Sequence, residues 1–314
     1  MAKAAKVALA VALLLLTVAR VWETERETVL RKQIWLNLIN QRRLKRLTTH
    51  RAAFAVAGDP RDSQIALAKL LDAVGKDKDV DFLLMLGDIT LSSKKEEYLL
   101  FFSKVMGLPK PVLVVPGNHD TRGPGFGWFR RLFGPASFVI RAGNATLVAY
   151  ECFNKRRLFP PAKGWLKEAL EKAKGSTIVL SHIPPYDPKK GDMAVGHSLK
   201  DPKESRWLIE LFKRHKVKAM FFSHIHGFLK GKWQGIPFYI TGEAGCEGMH
   251  RYPSYLRVKV TKGKIAVERV PVRLSRWEML LDRILSRWVI PAWVKIDGSY
   301  LCIAVGLFIL LLLF

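Results

Sequence analysis

Short apolar runs that end in glycine constrain the fold of this chain most strongly. Three of them, at residues 52–58, 81–87 and 111–117, alternate with helical patterns over 62–75 and 92–106. Apolar strands that alternate with amphipathic helices are typical of βαβ units and a parallel sheet. The first half of the chain therefore predicts a layer of parallel strands covered by helices.

The second half starts with the same alternation and then loses its helices. Apolar runs at 145–151, 176–182 and 218–224 are joined by helical patterns over 163–174 and 203–215. The remaining strand-like runs follow one another without helices. This order predicts an α/β fold whose later strands pair in an antiparallel manner.

Five of the predicted strands are followed at once by side chains that can bind a metal ion. These side chains are Asp59, Asp88, Asn118, His182, His224 and His226. Ligand sites in open α/β sheets lie at the carboxyl ends of the strands, so we expect the six to meet at one edge. Each alone has a plainer interpretation, as a helix cap or a hydrogen-bonded histidine. Together they predict a centre for a divalent cation that accepts nitrogen and oxygen ligands.

The loop that contains Asn118 also carries a histidine, a second carboxylate and an arginine. Two divalent ions about 3.5–4 Å apart can hold a hydroxide between them and stabilise a displacement at phosphorus, and the two oxygens of Asp88 suit a bridge between such ions. In that chemistry His119 would be the general acid that protonates the leaving oxygen. We expect Asp120 to orient the His119 ring and Arg122 to bind a phosphoryl oxygen.

Five sequence blocks resemble those of the calcineurin-like metallophosphoesterase superfamily, to which the purple acid phosphatases are related. In chain order they are GDPR at 58–61, GD at 87–88, GNHD at 117–120, SH at 181–182 and SHIH at 223–226. The resemblance covers roughly residues 53–270. It implies a four-layer αββα sandwich of two mixed β-sheets flanked by helices, with a dinuclear centre of divalent metal ions (Mn, Fe or Zn).

The resemblance also implies which residues hold each ion. The first ion would be bound by Asp59, Asp88 and His226. The second would be bound by Asp88, Asn118, His182 and His224. His119 would again be the general acid.

Arg61 departs from the family pattern, because many members have a histidine ligand at this position. Arginine stays protonated and has no lone pair to give to a metal. The first ion would then lose an imidazole, and Arg61 could bind the substrate phosphate instead. Asp62 and Gln64 are less favoured replacement ligands.

Three residues outside the blocks have two interpretations each. Tyr186 and His197 belong to loops over the predicted site, where they could touch substrate or face solvent. Glu243 could support the metal ligands or be a buried structural acid. The basic run at 155–157 is interpreted as a solvated surface.

Both ends of the chain are apolar, which predicts association with a membrane. Residues 1–21 combine a basic start with an apolar run, the layout of a secretory signal or an uncleaved anchor. Residues 298–314 form a second apolar run. As a helix, residues 299–314 of this run would rise about 24 Å, against about 30 Å for the hydrocarbon core of a bilayer. We expect a location at a cell or inner membrane, with the side that carries the domain left open.

Two segments connect these ends to the predicted domain at 53–272. Residues 22–52 have a basic, polar helical pattern that looks like a linker. Residues 273–297 combine tryptophan, leucine and arginine at helical spacing, which suits the headgroup zone of a membrane. The alternative is that this amphipathic helix packs on the domain.

The chain is strongly basic, since lysine and arginine exceed aspartate and glutamate by 52 − 27 = 25. Such an excess attracts polyanions, or reflects only a soluble basic surface. No basic stripe is interleaved with aromatic residues in the way that single-strand binders use, so no stable nucleic-acid partner is expected. Three cysteines without a CxxC pair predict neither a disulfide framework nor a thiolate zinc site.

These observations predict a metal-dependent phosphoesterase that acts on phosphomonoesters or phosphodiesters and is tethered at a membrane. Its expected partners are a phosphate ester and membrane lipids; the sequence decides neither the metal nor the oligomeric state. Two alternatives stay open. Arg61 in a ligand position favours a non-catalytic, membrane-tethered protein that binds phosphorylated ligands at a degenerate site, and the basic charge favours a nuclease.

Overall fold

The computed structural model describes residues 33–47, 52–152, 156–158, 160–245 and 252–295. The strands in these ranges are β1 Ala52–Ala57, β2 Phe82–Leu86, β3 Val112–Val115, β4 Phe138–Ala142, β5 Ala145–Ala149, β6 Ser176–Leu180, β7 Ala219–Phe222, β8 Phe228–Trp233, β9 Ile236–Thr241, β10 Ser254–Thr261 and β11 Lys264–Pro271. The helices are α1 Leu36–Leu47, α2 Ile65–Lys76, α3 Lys95–Met106, α4 Gly125–Leu132, α5 Pro160–Glu171, α6 Pro202–Arg214, α7 Arg276–Ile284, a π-helical turn Leu285–Val289 and α8 Ile290–Lys295.

The strands form two mixed sheets. The first has the order β11-β10-β1-β2-β3, in which β1, β2 and β3 run parallel and β10 is antiparallel to β1. The second has the order β4-β5-β6-β7-β9-β8, with β5, β6, β7 and β9 parallel and an antiparallel strand at each edge. The central strands read as unbroken apolar runs because both of their faces are covered.

Successive residues of the central strands face different layers. In β1, Phe54 packs between the two sheets and Ala55 packs under α2, α3 and α4. In β7, Phe221 packs between the sheets and Phe222 packs under α5 and α6. The Phe54 and Phe221 rings meet edge to face across the sandwich, with centroids 6.4 Å apart. The predicted α/β fold of two mixed sheets flanked by helices is therefore confirmed.

Helix α1 covers the open edge of β3, which corrects the interpretation of this part of 22–52 as a linker. The side-chain amide of Asn37 donates to the Val114 carbonyl and accepts from the Val114 amide, both at 2.8 Å. Asn40 donates to the Val112 carbonyl at 2.7 Å. Asn37 and Asn40 are buried, as is Leu44. Residues 36–47 therefore pack on the sheet and use two amides to satisfy an edge strand.

The helical segment after residue 275 has one packed face and one exposed face. Ser275 and Glu278 form a capping box that starts α7. The buried carboxylate of Asp282 accepts from the first amides of α2, which fixes α7 on the domain. Trp277 and Trp288 are each 73% exposed. Residues 273–295 thus pack on the domain with one face and expose apolar side chains on the other, and the contact of that exposed face with a membrane stays a prediction.

Within the described residues, no helix combines the length and the apolarity that a membrane span requires. The predicted apolar segments at 1–21 and 298–314 lie outside those residues. The same holds for 22–32 and 48–51 of the predicted linker. The membrane segments remain predictions.

Candidate metal centre

The carboxyl ends of strands from both sheets bring the predicted ligands together. Asp59 and Asp88 follow β1 and β2, and Asn118 follows β3. From the second sheet, His182 and His224 follow β6 and β7. The centre therefore lies where two sets of parallel strands end, as expected for a ligand site in an α/β fold.

The backbone at these strand ends adopts a conformation that side chains usually avoid. The φ angles are +57° at Asp59, +50° at Asp88 and +65° at His224. Left-handed backbone at non-glycine residues is strained and gathers at functional sites. Close packing adds to the constraint, because a Cβ atom at Gly117 would lie 2.3 Å from the Asp88 carboxylate. The sheets and loops thus hold the polar side chains in one arrangement.

Four side chains form a compact cluster around one ring nitrogen. Nε2 of His182 lies 3.2 Å from Oδ1 of Asp88, 3.1 Å from Oδ1 of Asn118 and 3.2 Å from Nδ1 of His224. Donor atoms that bind one ion at about 2.1 Å lie about 3.0–3.4 Å from one another. Asp88, His182 and His224 are all buried and can direct one ligand atom each to a common point. The cluster therefore fits a divalent cation.

A hydrogen bond orients the His182 ring toward the cluster, and a neighbouring charge raises its pKa. Its Nδ1 atom donates to the Leu86 carbonyl at 2.7 Å, which points Nε2 into the cluster. Burial would lower the pKa of His182, but the Asp88 carboxylate raises it to about 9. The electrostatic field that favours a proton on this ring also attracts a metal cation.

His224 and Asp88 have the ionisation states that a metal ligand needs. Burial, followed by the nearby His182 ring, lowers the pKa of His224 well below its usual value, so this imidazole is neutral. Burial alone would raise the pKa of Asp88, yet His182, His119 and Arg61 together hold it well below the usual carboxyl value. A neutral imidazole and an ionised carboxylate both present lone pairs to a cation.

The expected ligands of the other ion lie beside Arg61. Oδ2 of Asp59 accepts from the Ser223 hydroxyl and from the His224 amide, the latter at 2.8 Å. Its Oδ1 lies 3.6 Å from Nε2 of His226, and among the described residues neither of these two atoms has a hydrogen-bond partner. Arg61 places Nη2 3.0 Å and Nε 3.3 Å from Oδ2 of Asp88. The guanidinium thus occupies the side of Asp88 that faces away from the cluster.

His119 lies between two arginines. Its Nδ1 donates to the Leu91 carbonyl at 2.7 Å, and its Nε2 accepts from Arg61 at 3.1 Å and from Arg122 at 3.0 Å. Burial lowers the pKa of His119; Asp88 opposes this effect, and the two guanidinium groups add to it. The predicted acid and the two predicted phosphate-binding residues therefore meet at one point next to the cluster.

The role expected for Asp120 needs a correction. Its Oδ1 accepts from the amide and the hydroxyl of Thr90, both at 2.9 Å, and its Oδ2 accepts from the Gly117 amide at 2.8 Å. The His119 ring is oriented instead by the backbone carbonyl of Leu91. Burial and the Asp88 charge raise the pKa of Asp120 to about 6. Asp120 therefore ties the loop after β3 to the loop after β2 and does not orient the histidine.

Three residues near the cluster have only weak signals in the sequence. The His197 ring lies edge to face with the His224 ring, at a centroid distance of 4.0 Å. Arg156, from a basic run interpreted as solvated, donates to the Gly196 carbonyl at 2.7 Å and is only half-exposed. Ser223, whose hydroxyl donates to Oδ2 of Asp59, has a single signal in the sequence, its position between a strand and a histidine ligand.

Other candidates belong to the structural framework. Tyr186 is buried with its ring against Trp233 at 5.6 Å. Glu243 accepts from Ser254 at 2.5 Å and from Arg269 at 2.9 Å, which supports its interpretation as a structural acid.

The two less favoured replacement ligands have partners away from the cluster. Asp62 lies against Glu97, and burial followed by that neighbour raises its pKa well above the usual value. Gln64 donates to the Asp62 carbonyl at 2.8 Å. Neither contact directs a ligand atom toward Asp88 or His226.

Comparison with known proteins places the chain in an enzyme family. A family model described as calcineurin-like phosphoesterase matches residues 52–228, more than half of the 314 residues. A protein described as a probable cyclic nucleotide phosphodiesterase, from Rhodopseudomonas palustris, is 26% identical over 217 residues. The matched part covers 61% of this chain and 77% of that relative.

Solved structures share the fold at low sequence identity. A purple acid phosphatase from yellow lupin (Lupinus luteus) has a TM-score of 0.56 at 13% identity, over 74% of this chain and 56% of that one. This chain thus spans little more than half the length of the lupin protein. GAP50, described as the anchor in the inner membrane complex of Plasmodium, has a TM-score of 0.54 at 14% identity, over 76% of this chain and 95% of that one. Both likenesses concern the fold alone.

Proposed function

Because this chain belongs to the calcineurin-like phosphoesterase family and is thus a phosphoric ester hydrolase, we propose that it hydrolyses phosphomonoesters or phosphodiesters with a divalent cation. The cation would be Mn, Fe or Zn, held by Asp88, Asn118, His182 and His224. The observation that carries this proposal is the set of three donor atoms 3.1–3.2 Å from Nε2 of His182.

The chain's own residues have distinct parts in the proposed reaction. A cation in the cluster would supply Lewis-acid charge to the phosphoryl group. Arg61 and Arg122 direct their guanidinium groups to one point, where they would bind phosphoryl oxygens in place of Nε2 of His119. A bound phosphate would offset the charge of both arginines and so favour a proton on His119. Water would attack the phosphorus, and His119 would protonate the leaving oxygen as its bond to phosphorus breaks.

The name of the Rhodopseudomonas relative makes phosphodiesters, cyclic nucleotides included, the first substrates to test. Phosphomonoesters remain in the proposal because two guanidinium groups and a cation can also bind a dianionic phosphate. A substrate series that contains both ester classes will separate them.

We also propose that the protein works at a membrane, through its apolar ends and the exposed face of α7 and the π-helical turn. That face carries Trp277, Leu281, Ile284 and Trp288, each more than 40% exposed. Arg283 lies exposed on the same segment. Exposed tryptophan beside arginine suits the headgroup region of an anionic bilayer. The cell or inner membrane is the proposed location.

The test is hydrolysis by the full-length chain in detergent, after loading with Mn²⁺. The substrates would be p-nitrophenyl phosphate, bis-p-nitrophenyl phosphate and a cyclic nucleotide. His182→Asn should lose the cation and at least about 100-fold in kcat, since metal catalysis of this kind supplies several kcal/mol. His215→Asn is the matched control, because His215 caps the end of α6 away from the cluster. Metal-loaded protein without turnover on any ester would reject the proposal.

One observation favours a second candidate, a protein that binds phosphorylated ligands without turnover. Arg61 holds Asp88 on the side where the family resemblance implies an ion. In the same experiment this candidate would show tight binding of a phosphate ester and no hydrolysis.

A further inference from the structure

The two oxygens of Asp88 have different partners. Oδ1 faces the cluster, 3.2 Å from Nε2 of His182, and also accepts from the His119 amide at 2.9 Å. Oδ2 accepts from two nitrogens of Arg61, at 3.0 and 3.3 Å. A carboxylate that bridges two ions offers lone pairs to both of them. Here the second side of Asp88 is already bound to a cation of the chain itself.

The loop that carries Arg61 is shaped to keep the guanidinium in this place. Arg61 and Asp62 both have left-handed backbone, with φ angles of +42° and +60°. The Arg61 amide donates to the Asp88 carbonyl at 3.0 Å, so backbone and side chain bind the same residue. The side chain is only 14% exposed. Backbone strain at a buried charged side chain indicates a fixed position.

Among the described residues, few other donors lie on this side of Asp88. Asp59 and His226 offer one ligand atom each, 3.6 Å apart, whereas a catalytic transition-metal site takes three protein ligands and a water. The third donor that the resemblance implies, Oδ2 of Asp88, already accepts from Arg61. Arg61 adds none, because its guanidinium carries no lone pair and does not lose its proton. The Nε atom of Arg61 lies 4.0 Å from Oδ1 of Asp59, so an ion bound there would meet a positive charge at contact distance.

We propose that the guanidinium of Arg61 takes the place of the first metal ion, so that the centre holds a single divalent cation. This inference rests on the proposed function only in that the cluster of Asp88, Asn118, His182 and His224 binds a metal. Arg61 supplies positive charge on the other side of Asp88, next to His119. Asp59 is then a positioning residue, because its Oδ2 fixes Ser223 and the His224 amide.

The test counts ions and examines their magnetic coupling. The full-length chain in detergent is loaded with Mn²⁺, freed of unbound metal and analysed by mass spectrometry and electron paramagnetic resonance. We expect a single Mn²⁺ per chain and the signal of an isolated ion. Arg61→His, which restores an imidazole between Asp59 and Asp88, should double the count and give the signal of a coupled pair.

Arg122→His is the matched control. It also exchanges an arginine beside His119 for an imidazole, but Arg122 contacts neither Asp59 nor Asp88 in the described structure. We expect it to keep a single ion. Thermal unfolding of each variant checks that it is folded, and the wild-type count is decisive even if a variant does not fold.

Three outcomes would overturn the inference: two coupled ions in the wild type, a single ion in folded Arg61→His, or an equal gain in Arg122→His. Hydrolysis measured on the same samples separates this inference from the proposed function. A single ion without turnover would reject the enzyme and keep the inference. Two ions with turnover would support the enzyme and reject the inference of a single ion.

Discussion

His182 and Asp88 belong to different sheets, yet Nε2 of the one lies 3.2 Å from Oδ1 of the other. His224 joins the same cluster from the second sheet, and Asn118 joins it from the first. A cation bound at this cluster would therefore connect the two halves of the sandwich. Metal binding and the stability of the fold are expected to depend on each other.

The first prediction is that Mn²⁺ raises the melting temperature. A ligand at 100 times its Kd stabilises the native state by about 2.7 kcal/mol. For a domain of this size, that corresponds to a shift of about 5–10 °C. Calorimetry with Mn²⁺ and with a chelator measures the shift. His182→Asn should abolish it and His215→Asn should keep it; an equal shift in both variants would contradict the cluster as the binding site.

The second prediction concerns His119 as a general acid. His119→Ala should reduce kcat by about 10²–10⁴-fold for an ester with a poor leaving group. The loss should be much smaller for p-nitrophenyl esters, whose leaving group needs little protonation. Metal content should stay at the wild-type level, because His119 is outside the cluster of Asp88, His182 and His224. A loss of equal size for both kinds of ester would show that His119 has another role.

The third prediction concerns the exposed face of α7. A nitroxide spin label at Trp277 should report a lipid environment when the full chain is reconstituted in anionic vesicles, because this side chain is 73% exposed beside arginines. A label at Met106, which is 55% exposed at the end of α3, is the control and should report water. Cys246 and Cys302 are first replaced by serine so that the label is specific. Equal accessibility to water at both positions would reject membrane contact by this face.

The fourth prediction concerns the edge of the first sheet. Asn37→Leu leaves the amide and the carbonyl of Val114 without their partners. Each of the two buried groups left unpaired costs about 1–3 kcal/mol, so the free energy of unfolding should fall by about 2–6 kcal/mol. Denaturant unfolding measures the change. Arg42→Ala, at an exposed position of the same helix, is the control and should change stability by less than about 0.5 kcal/mol.

The fifth prediction is a pH dependence at Asp77, the residue that ends α2. Tyr255 donates to its carboxylate at 2.6 Å and Arg257 at 2.9 Å. Burial would raise the pKa of Asp77, but these partners lower it below 3.8. The depressed pKa means that the carboxylate stabilises the fold above the unfolded pKa and loses this effect as the pH falls through the folded one. Asp77→Asn should therefore be destabilising at pH 7 and less so at pH 3; a constant difference would contradict this account.

Much of the site could be predicted because its residues follow buried strands directly. Parallel strands end at the same edge, so Asp59, Asp88 and Asn118 had to lie near one another once their strands were recognised. The convergence of His182 and His224 on the same point depends on how the second sheet packs on the first, which no local pattern shows.

The partners of the loop residues could not be predicted in the same way. Asp120 follows His119 in sequence, and proximity in sequence suggested a hydrogen bond between them. Neighbouring side chains of a turn point in different directions, so Asp120 contacts Thr90 while His119 turns to the carbonyl of Leu91. A backbone acceptor has no signature in the sequence.

Some elements were missed because their residues do not favour them locally. Helix α4 contains glycine at its first and third positions, which disfavours a helix. Strand β8 includes Lys230, Gly231 and Lys232, residues that are depleted in strands and typical of a protected edge. Strand β4 alternates buried and exposed residues over only five positions. In all three cases tertiary packing outweighs local preference.

The side-chain amides of Asn37 and Asn40, which α1 presents to β3, keep this edge from pairing with another copy of the protein. Strand β3 has four apolar residues and no charge to discourage pairing with another copy. If α1 came away, two chains could pair through this edge, and the intermolecular sheet would then include the strand that carries Asn118 at its end. Loss of a metal ligand and self-association would begin with the same local opening. Ageing or heated samples would then lose activity and form oligomers at the same time, before the rest of the sandwich unfolds.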